Sequence, residues 1–270
     1  MLTDTIYRML APLPAARRQF ARVARKLPHR LRTVDNRGQR LLVDPSEMSG
    51  FYLYYEREYD TPLFEFLDRV VSRYRTVIDL GANIGVYTCY FAARVPQVIA
   101  FEPDPGPYRA LQQNLALNNL QNVTLHQTCV GQHNGTVTFY SGVSANSGLG
   151  SIIGGSGPAI ERPLVRLDDV VSPGDGRVLM KVDIEGAEWA ALQGAKKLLT
   201  APGTAVDILM EVHPEQLNEA GISLDDLRAL LVELGYTVTG MGPQGPDLPA
   251  AGATPRQRFW WATRSSGNTA

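Results

Sequence analysis

An aspartate and two glycines follow an apolar run near the start of the regular part of the chain. Residues 77–88 read VIDLGANIGVYT, so Asp79 lies near the end of a candidate strand and Gly81 and Gly85 lie in the turn after it. The turn after the first strand of a doubly wound sheet directs backbone N–H groups at a ligand. The spacing G-x-x-x-G lacks the third glycine of the dinucleotide fingerprint, and the Asp79 carboxylate would repel a pyrophosphate. These residues favour a ligand with positive charge.

S-adenosylmethionine has such charges, on its ammonium and on its sulfonium. A charge-assisted hydrogen bond from the ammonium to Asp79 is worth about 1.5–3 kcal/mol, and glycines at Gly81 and Gly85 allow a close approach of the backbone. The next strand ends in AFEP, where Glu102 can accept hydrogen bonds from both ribose hydroxyls. A dinucleotide enzyme would share Glu102, and Asp79 alone could be a helix N-cap. The three features together predict S-adenosylmethionine binding.

Acidic residues also follow a later candidate strand, in the sequence VLMKVDIEGAE. Asp183 and Glu185 share one phase of this strand and its extension with Lys181, and the end of the strand faces the ligand crevice. A base that accepts the proton of an alcohol speeds its methylation by about 10²–10⁴-fold. Asp183 and Glu185 are candidate bases, and so is His213, which ends the next strand and has a suitable pKa. Amino-methylating enzymes often have Asn/Asp-Pro-Pro-aromatic here, so the carboxylates favour a hydroxyl acceptor.

Structural roles for some of these side chains stay open. His213 could cap a strand, and Glu211 could pair with Lys181 at the end of the sheet. Glu188 could support the N-terminus of the following helix, where a negative charge is favourable. These interpretations would leave the chemistry to Asp183 and Glu185.

A divalent metal is another alternative for activating the acceptor. Asp183, Glu185 and His213 offer oxygen and imidazole ligands to Mg²⁺ or Mn²⁺, and a bound ion would acidify a hydroxyl without a base. The sequence does not bring the three within coordination distance. A metal is therefore possible but not favoured, and no metal ligand is assigned.

Short apolar strands alternating with helical segments must position these residues. The predicted strands begin near Thr76, Val98, Val123, Val178 and Asp207. Helix-like segments lie at 61–74, 107–119, 188–199 and 223–234. This alternation predicts an α/β fold with a mostly parallel sheet and helices on both faces. The sequences YTVTG and RFWWAT flank the Gly/Pro-rich residues 241–255, which predicts a terminal hairpin with an antiparallel last strand.

The segments at the two ends of the chain are predicted to lie outside this alternation. Residues 1–60 combine a basic helical segment with a small hairpin that turns at 36–38, residues 61–264 form the main domain, and 265–270 form a disordered tail. The basic side chains include Arg17, Arg18, Arg22, Arg25 and Lys26. Apolar residues between them predict either a solvated surface or a weak peripheral contact with anionic lipid.

Residues 141–164 predict a flexible insertion that leads towards the fourth strand and its carboxylates. Their Gly and Ser content gives little apolar burial. Polar side chains (Asn146, Ser147, Ser151) could bind hydroxyls, and apolar ones (Leu149, Ile152, Ile153) could cover a ring. We therefore expect a lid over the acceptor, with an ordinary surface loop as the alternative.

Composition sets limits on the class of protein. The chain has 270 residues, of which 44% are hydrophobic and 20% are charged, and its formal net charge is -1. That charge gives no general attraction for nucleic acid. Cys89 and Cys129 lie in apolar stretches and predict buried thiols in a reducing compartment. The sequence contains no run of about 18 apolar residues, the length that a membrane span needs. A cytoplasmic location is therefore expected.

Several motifs together resemble one family. The sequences VIDLGANIGVYT, FEPDP, QNLALNN, LDD, KVDIEGAEWAALQGA and MEVHPEQL, within residues 42–238, resemble the FkbM-type methyltransferases. The resemblance implies a Rossmann-like class I fold with a seven-stranded sheet in the order 3-2-1-4-5-7-6. It also implies S-adenosylmethionine contacts from Asp79, Gly81, Asn83, Gly85 and Glu102, with Asp183 beside the methyl group. The implied activity is O-methylation of a sugar, glycolipid or polyketide-type hydroxyl.

Two other classes of function compete with this prediction. A nicotinamide oxidoreductase would need room for phosphates beside Asp79. A non-catalytic S-adenosylmethionine-binding module would keep the fold but lose the cofactor carboxylates; Asp79 and Glu102 are both present, so an enzyme is favoured. A thermal shift with S-adenosylmethionine but not with NAD would separate the oxidoreductase from the other two.

Overall fold

The computed structural model describes residues 30–57, 59–142, 150–172, 176–242, 245–247 and 258–264. The basic segment before Arg30 and the predicted tail 265–270 lie outside these residues, as do Asn146, Ser147 and Leu149 of the predicted lid. No helix in the described part of the chain is long and apolar enough to cross a membrane.

The strands and helices follow one another in the predicted alternation. The strands are β1 (Arg32–Asn36), β2 (Gln39–Val43), β3 (Thr76–Leu80), β4 (Gln97–Phe101), β5 (Val123–His126), β6 (Cys129–Val130), β7 (Gly135–Tyr140), β8 (Ala159–Val165), β9 (Arg177–Val182), β10 (Ala205–Glu211), β11 (Thr237–Gly242), β12 (Gly245–Asp247) and β13 (Phe259–Thr263). The α-helices are α1 (Met48–Phe51), α2 (Thr61–Val70), α3 (Val86–Ala92), α4 (Pro105–Leu117), α5 (Leu167–Val170), α6 (Glu188–Gln193), α7 (Lys196–Thr200), α8 (Pro214–Glu219) and α9 (Leu224–Glu233).

A sheet of eight strands forms the centre of the molecule. Its order is β12-β11-β13-β10-β9-β3-β4-β5. The neighbouring strands β10, β9, β3, β4 and β5 are parallel to one another, whereas β13 runs antiparallel to β10 and to β11. The predicted α/β class with a mostly parallel sheet and an antiparallel last strand is confirmed. The three-residue strand β12 makes eight strands instead of the predicted seven, and it is too short to stand out in a Gly/Pro-rich sequence.

Helices cover both faces of the sheet and enclose two apolar clusters. Ile78 and Leu80 of β3 face one cluster, whereas Val77 faces the other. Because side chains alternate along a strand, Asp79 shares the face of Val77. Cys89 and Cys129 are buried free thiols.

The hairpin of β1 and β2 is bound to α4 by two asparagines of the QNLALNN sequence. Asn114 accepts from Leu42 N through Oδ1 (2.7 Å) and donates through Nδ2 to Ile84 O (2.8 Å). Asn118 makes the corresponding pair of bonds with the backbone of Arg40. Leu41 and Val43 of the hairpin are buried in the same cluster as β3 and α3. The hairpin therefore packs as part of the main core.

Part of the predicted flexible insertion 141–164 has regular structure. Ala159–Val165 is strand β8, which pairs antiparallel with β7 in a separate sheet of order β6-β8-β7. Ser151 also forms a bridge with Tyr140. The side chains of β8 are mostly exposed or half-buried and include Pro163, so an apolar run does not reveal this strand.

Candidate active site

A pocket opens at the C-terminal ends of β3, β4 and β9. It is lined by Gly81, Asn83, Phe101, Glu102, Pro103, Thr128, Cys129, Val130, Phe139, Gly150, Ser151, Ile152, Asp183, Ile184, Glu185 and Ala187. Its open space, including the part that opens to solvent, is about 640 Å³. Most of the wall is apolar, and its carboxylates come from only three positions, Glu102, Asp183 and Glu185.

Glu102 is fixed on this wall by two backbone N–H groups. Asn83 N donates to Oε2 and Asp104 N donates to Oε1, each at 2.8 Å. Burial raises the pKa of Glu102 to about 7, against the effect of these two hydrogen bonds. Asn83 itself adopts a left-handed conformation, with φ 50°. The structure thus brings Glu102, Asn83 and Gly81 to one pocket.

The two loop glycines are required by protein packing. A Cβ on Gly81 would lie 1.8 Å from the carbonyl oxygen of Asp183, and a Cβ on Gly85 would lie 2.5 Å from Leu111 Cδ1. Both residues also have positive φ, 80° and 92°. Gly81 lines the pocket, but Gly85 is the N-cap of α3 and does not line it. The close approach that we attributed to a ligand is made by the protein itself.

Asp79 lies beneath the pocket and does not line it. Its side chain is fully buried, and Thr88 Oγ1 donates to Oδ2 at 2.6 Å. Its other oxygen, Oδ1, is 3.4 Å from Lys181 Nζ. In this arrangement both carboxylate oxygens of Asp79 face protein groups, Thr88 and Lys181. A direct contact between Asp79 and a cofactor ammonium stays a prediction.

Asp183 presents the carboxylate that Asp79 does not. Lys181 Nζ donates to Oδ2 at 3.2 Å, and His213 Nε2 lies 3.7 Å from Oδ1. Burial alone would raise the pKa of Asp183, but Lys181 and His213 outweigh it and hold the pKa below its usual range. Asp183 is therefore an ionised carboxylate on the pocket wall, suited to a cation more than to proton acceptance.

Four carboxylates surround the imidazole of His213. Nδ1 lies 2.6 Å from Glu188, and Nε2 lies 3.4 Å from Glu211, 3.5 Å from Glu185 and 3.7 Å from Asp183. Burial alone would lower the pKa of His213, but these groups raise it to about 11. His213 is thus an imidazolium at neutral pH. This raised pKa differs from the near-neutral value expected from the sequence, because the sequence does not show how many carboxylates converge on the ring.

Glu185 combines burial with backbone strain. Its φ is 50°, a left-handed value that non-glycine residues adopt at a cost of about 1–3 kcal/mol. Ser151 Oγ donates to its carbonyl oxygen at 2.7 Å, and Gln216 Nε2 donates to Oε2 at 3.0 Å. Burial raises the pKa of Glu185 to about 7, although His213 acts in the opposite direction. Ser151 of the predicted lid thus fixes the backbone of a candidate base.

Among the described residues, Asp183, Glu211 and His213 form a group whose side chains come close enough for a metal. Their ligand atoms lie within 4.8 Å of one another, so Glu211 takes the place that we had considered for Glu185. Each already has a positive partner: Lys181 for Asp183, Arg258 for Glu211, and the second proton for His213. A metal would have to displace these charges. Glu211 pairs with Arg258 rather than with Lys181, which corrects that alternative as well.

The sequence did not predict that Glu188 and Gln216 position other side chains of the site. Glu188 is fully buried in the first turn of α6 and binds His213, while Gln216 of α8 holds Glu185. The second glutamate of the EGAE sequence was the available signal for Glu188. We found no such signal for Gln216.

Together, the sheet and its pocket define a class I, S-adenosylmethionine-dependent methyltransferase fold. The chain belongs to the FkbM-type family: a model of the methyltransferase FkbM domain matches residues 79–238, more than half of the chain. The pocket residues fit the cofactor of this family. Glu102 and Asp183 offer carboxylate acceptors to the diol and the ammonium of such a cofactor, and Phe101, Val130 and Ile152 offer apolar surface to its base.

Individual relatives are 28–32% identical to this chain within the aligned residues. Methyltransferase 1 of Beauveria bassiana is 32% identical in an alignment over 142 residues that covers 44% of this chain and 57% of that protein. Methyltransferase sdnD of Sordaria araneosa is 30% identical over 60% of this chain and 74% of its own length. The 31-O-demethyl-FK506 methyltransferase FkbM of Streptomyces tacrolimicus is 28% identical over 60% and 72%.

A solved structure also overlaps with this chain. The methyltransferase FkbM of Methylobacillus flagellatus KT covers 70% of this chain and 43% of its own, at 18% identity and a TM-score of 0.43. The chain thus spans a little over half of the Beauveria protein and less than half of the Methylobacillus chain.

Proposed function

We propose that this chain methylates a hydroxyl group, with Glu185 as the proton acceptor. The observation that carries the proposal is the state of Glu185 on the pocket wall. Its pKa of about 7 allows a substantial ionised fraction at neutral pH while leaving it basic enough to take a proton. The imidazolium of His213, 3.5 Å away, favours negative charge at this place.

The cofactor would be held by groups already in place. Glu102 would accept hydrogen bonds from the ribose hydroxyls, and Asp183 would accept from the ammonium. When bound, S-adenosylmethionine supplies a methyl group whose bond to sulfur breaks as the bond to the acceptor oxygen forms, leaving S-adenosylhomocysteine. Glu185 takes the hydroxyl proton, so charge does not accumulate on the acceptor.

The acceptor class is proposed from the residues and from one relative. The name of the Streptomyces relative describes O-methylation at position 31 of FK506. Of the carboxylates around His213, Asp183 and Glu185 line the pocket and can accept hydrogen bonds from the hydroxyls of a polyol. We propose a sugar, glycolipid or polyketide-type alcohol.

The test combines product analysis with one conservative variant. Purified protein is incubated with methyl-labelled S-adenosylmethionine and a panel of such alcohols and matched amines, and the methylated atom is located by NMR. We expect an O-methyl product and a turnover lower by about 10²–10⁴-fold in Glu185→Gln, with unchanged S-adenosylhomocysteine affinity. Glu161→Gln on β8 is the matched control. An N-methyl product, or normal turnover in Glu185→Gln, would contradict the proposal.

A further inference from the structure

Asp79, Lys181 and Asp183 form a row of alternating charges across two neighbouring strands. Asp79 of β3 and Lys181 of β9 are cross-strand partners in the parallel ladder. Lys181 Nζ lies 3.4 Å from Asp79 Oδ1 and 3.2 Å from Asp183 Oδ2, and it donates to Gly81 O at 3.3 Å. The ammonium therefore lies between the two carboxylates, directly beneath the glycine loop.

Of the two carboxylates in this row, only that of Asp183 can contact a ligand. Asp79 is 0% exposed and Lys181 is 5% exposed, whereas the side chain of Asp183 is 27% exposed and lines the pocket. Burial alone would lower the pKa of Lys181, but Asp183 and Asp79 raise it, so the lysine is charged. Asp79 cannot reach a cofactor without leaving Thr88 and Lys181.

The charges of the row leave one negative charge in excess. Two carboxylates and one ammonium sum to a net charge of -1, which matches one cationic group of a ligand. Without the charge of Asp79 the row would be neutral, and Lys181 would compete fully for Asp183. The charge of Asp79 thus matters at the pocket although the side chain lies below it.

We infer that Asp79 acts on the cofactor through Lys181: it balances the lysine charge, so that the negative charge of Asp183 is left for the ammonium of the cofactor. Asp79 and Lys181 are then positioning residues, and Asp183 makes the contact. This inference rests on the proposed function, which assigns Asp183 to the cofactor. It replaces the direct contact between Asp79 and the ammonium that the sequence suggested.

The test is a double-mutant cycle with S-adenosylhomocysteine, which keeps the ammonium but lacks the sulfonium charge. Its affinity is measured by calorimetry for the wild type, Asp79→Asn, Lys181→Met and the double variant. We expect Asp79→Asn to bind about tenfold or more weakly, and the double variant to return within about threefold of the wild type, since Lys181 no longer opposes the charge of Asp183. Lys181→Met alone should lower the melting temperature, because it leaves Asp79 buried and unpaired.

A control separates this effect from a general loss of stability. Asp207 of β10 is also buried and ion-paired, with Arg177 at 2.7 Å, but it lies in the first half of its strand, away from the pocket. Asp207→Asn should lower the melting temperature and leave the affinity unchanged. A double variant that binds as weakly as Asp79→Asn would overturn the inference and restore a direct contact, as would an equal loss of affinity in Asp207→Asn. A wild-type chain without affinity would overturn the proposed function itself.

Discussion

Nδ1 of His213 lies 2.6 Å from Oε1 of Glu188, and the Glu188 carboxylate is completely buried. The same oxygen accepts from Gly186 N at 3.2 Å, which fixes its orientation. Replacing Glu188 with Gln removes the carboxylate closest to the ring, so the pKa of His213 should fall from about 11 towards its ordinary value. NMR titration of the imidazole resonances measures this shift. Glu215→Gln, at an exposed site of α8, is the control, and an unchanged titration in Glu188→Gln would contradict the assigned pairing.

The pH dependence of turnover should show Glu185 directly. The carboxylate must be ionised to accept a proton, and burial raises its pKa to about 7. At saturating cofactor, kcat should therefore fall about tenfold per unit of pH below this value and level off above it. Saturation matters because the pKa of Glu102 is also about 7. The residual kcat of Glu185→Gln should not show this fall at low pH. A fall at low pH that persists in Glu185→Gln would indicate another base.

Cofactor affinity should depend on Glu102. Its carboxylate holds the loop through Asn83 N and Asp104 N and faces the pocket. Glu102→Ala should weaken S-adenosylmethionine binding by about tenfold or more, which corresponds to 1.4 kcal/mol per decade. Calorimetry measures the affinity, and circular dichroism checks that the variant is folded. Equal affinity in the wild type and Glu102→Ala would remove Glu102 from the cofactor site.

Removal of divalent metal should leave the activity unchanged. The closest set of metal-type ligands, Asp183, Glu211 and His213, is already paired with Lys181, Arg258 and a proton. Activity is measured after dialysis against EDTA and again after addition of Mg²⁺ or Mn²⁺. Loss in chelator with recovery on Mg²⁺ would assign these side chains to a metal.

Stability should depend on the asparagine that links the hairpin to the glycine loop. Asn114 is fully buried and bonds to the backbone of Leu42 and Ile84. Asn114→Ala leaves these groups without a partner, so the free energy of unfolding should fall by about 1–3 kcal/mol. Urea denaturation measures it. Asn118→Ala, whose bonds to Arg40 are exposed, should cost less, and the reverse ranking would contradict this account.

The parallel strands of the central sheet could be predicted because they are local apolar runs. Thr76–Leu80 is buried at all five positions, and the adjacent glycines mark its end. The helix predicted for 188–199 is instead broken into α6 and α7. A Cβ at Gly194 would lie 2.0 Å from Gly131 O, so this glycine permits a close approach that only the tertiary structure reveals.

The residues that form the site could be predicted more easily than the protonation states of their side chains. The sequence placed Asp183, Glu185 and His213 at neighbouring strand ends, and the structure brings them together. It did not place Arg258, which lies 47 residues after Glu211 and pairs with it. The protonation of His213 depends on carboxylates from β9, β10 and α6 at once. Such sums of pair interactions require distances, which the spacing of residues does not give.

Asn114 of α4 and Asn118, the residue that caps the C-terminus of α4, also affect the order in which parts of the chain fold. Their bonds to Leu42 and Arg40 close loops of 72 and 78 residues, so the hairpin cannot reach its final partners until the chain through α4 exists. Contacts of such long sequence separation slow folding, since the loop-closure entropy is lost before they form. We expect protection from hydrogen exchange to arise late at Leu42 N. Because Asn114 also donates to Ile84 O, we expect the glycine loop to be among the last of the described segments to become rigid.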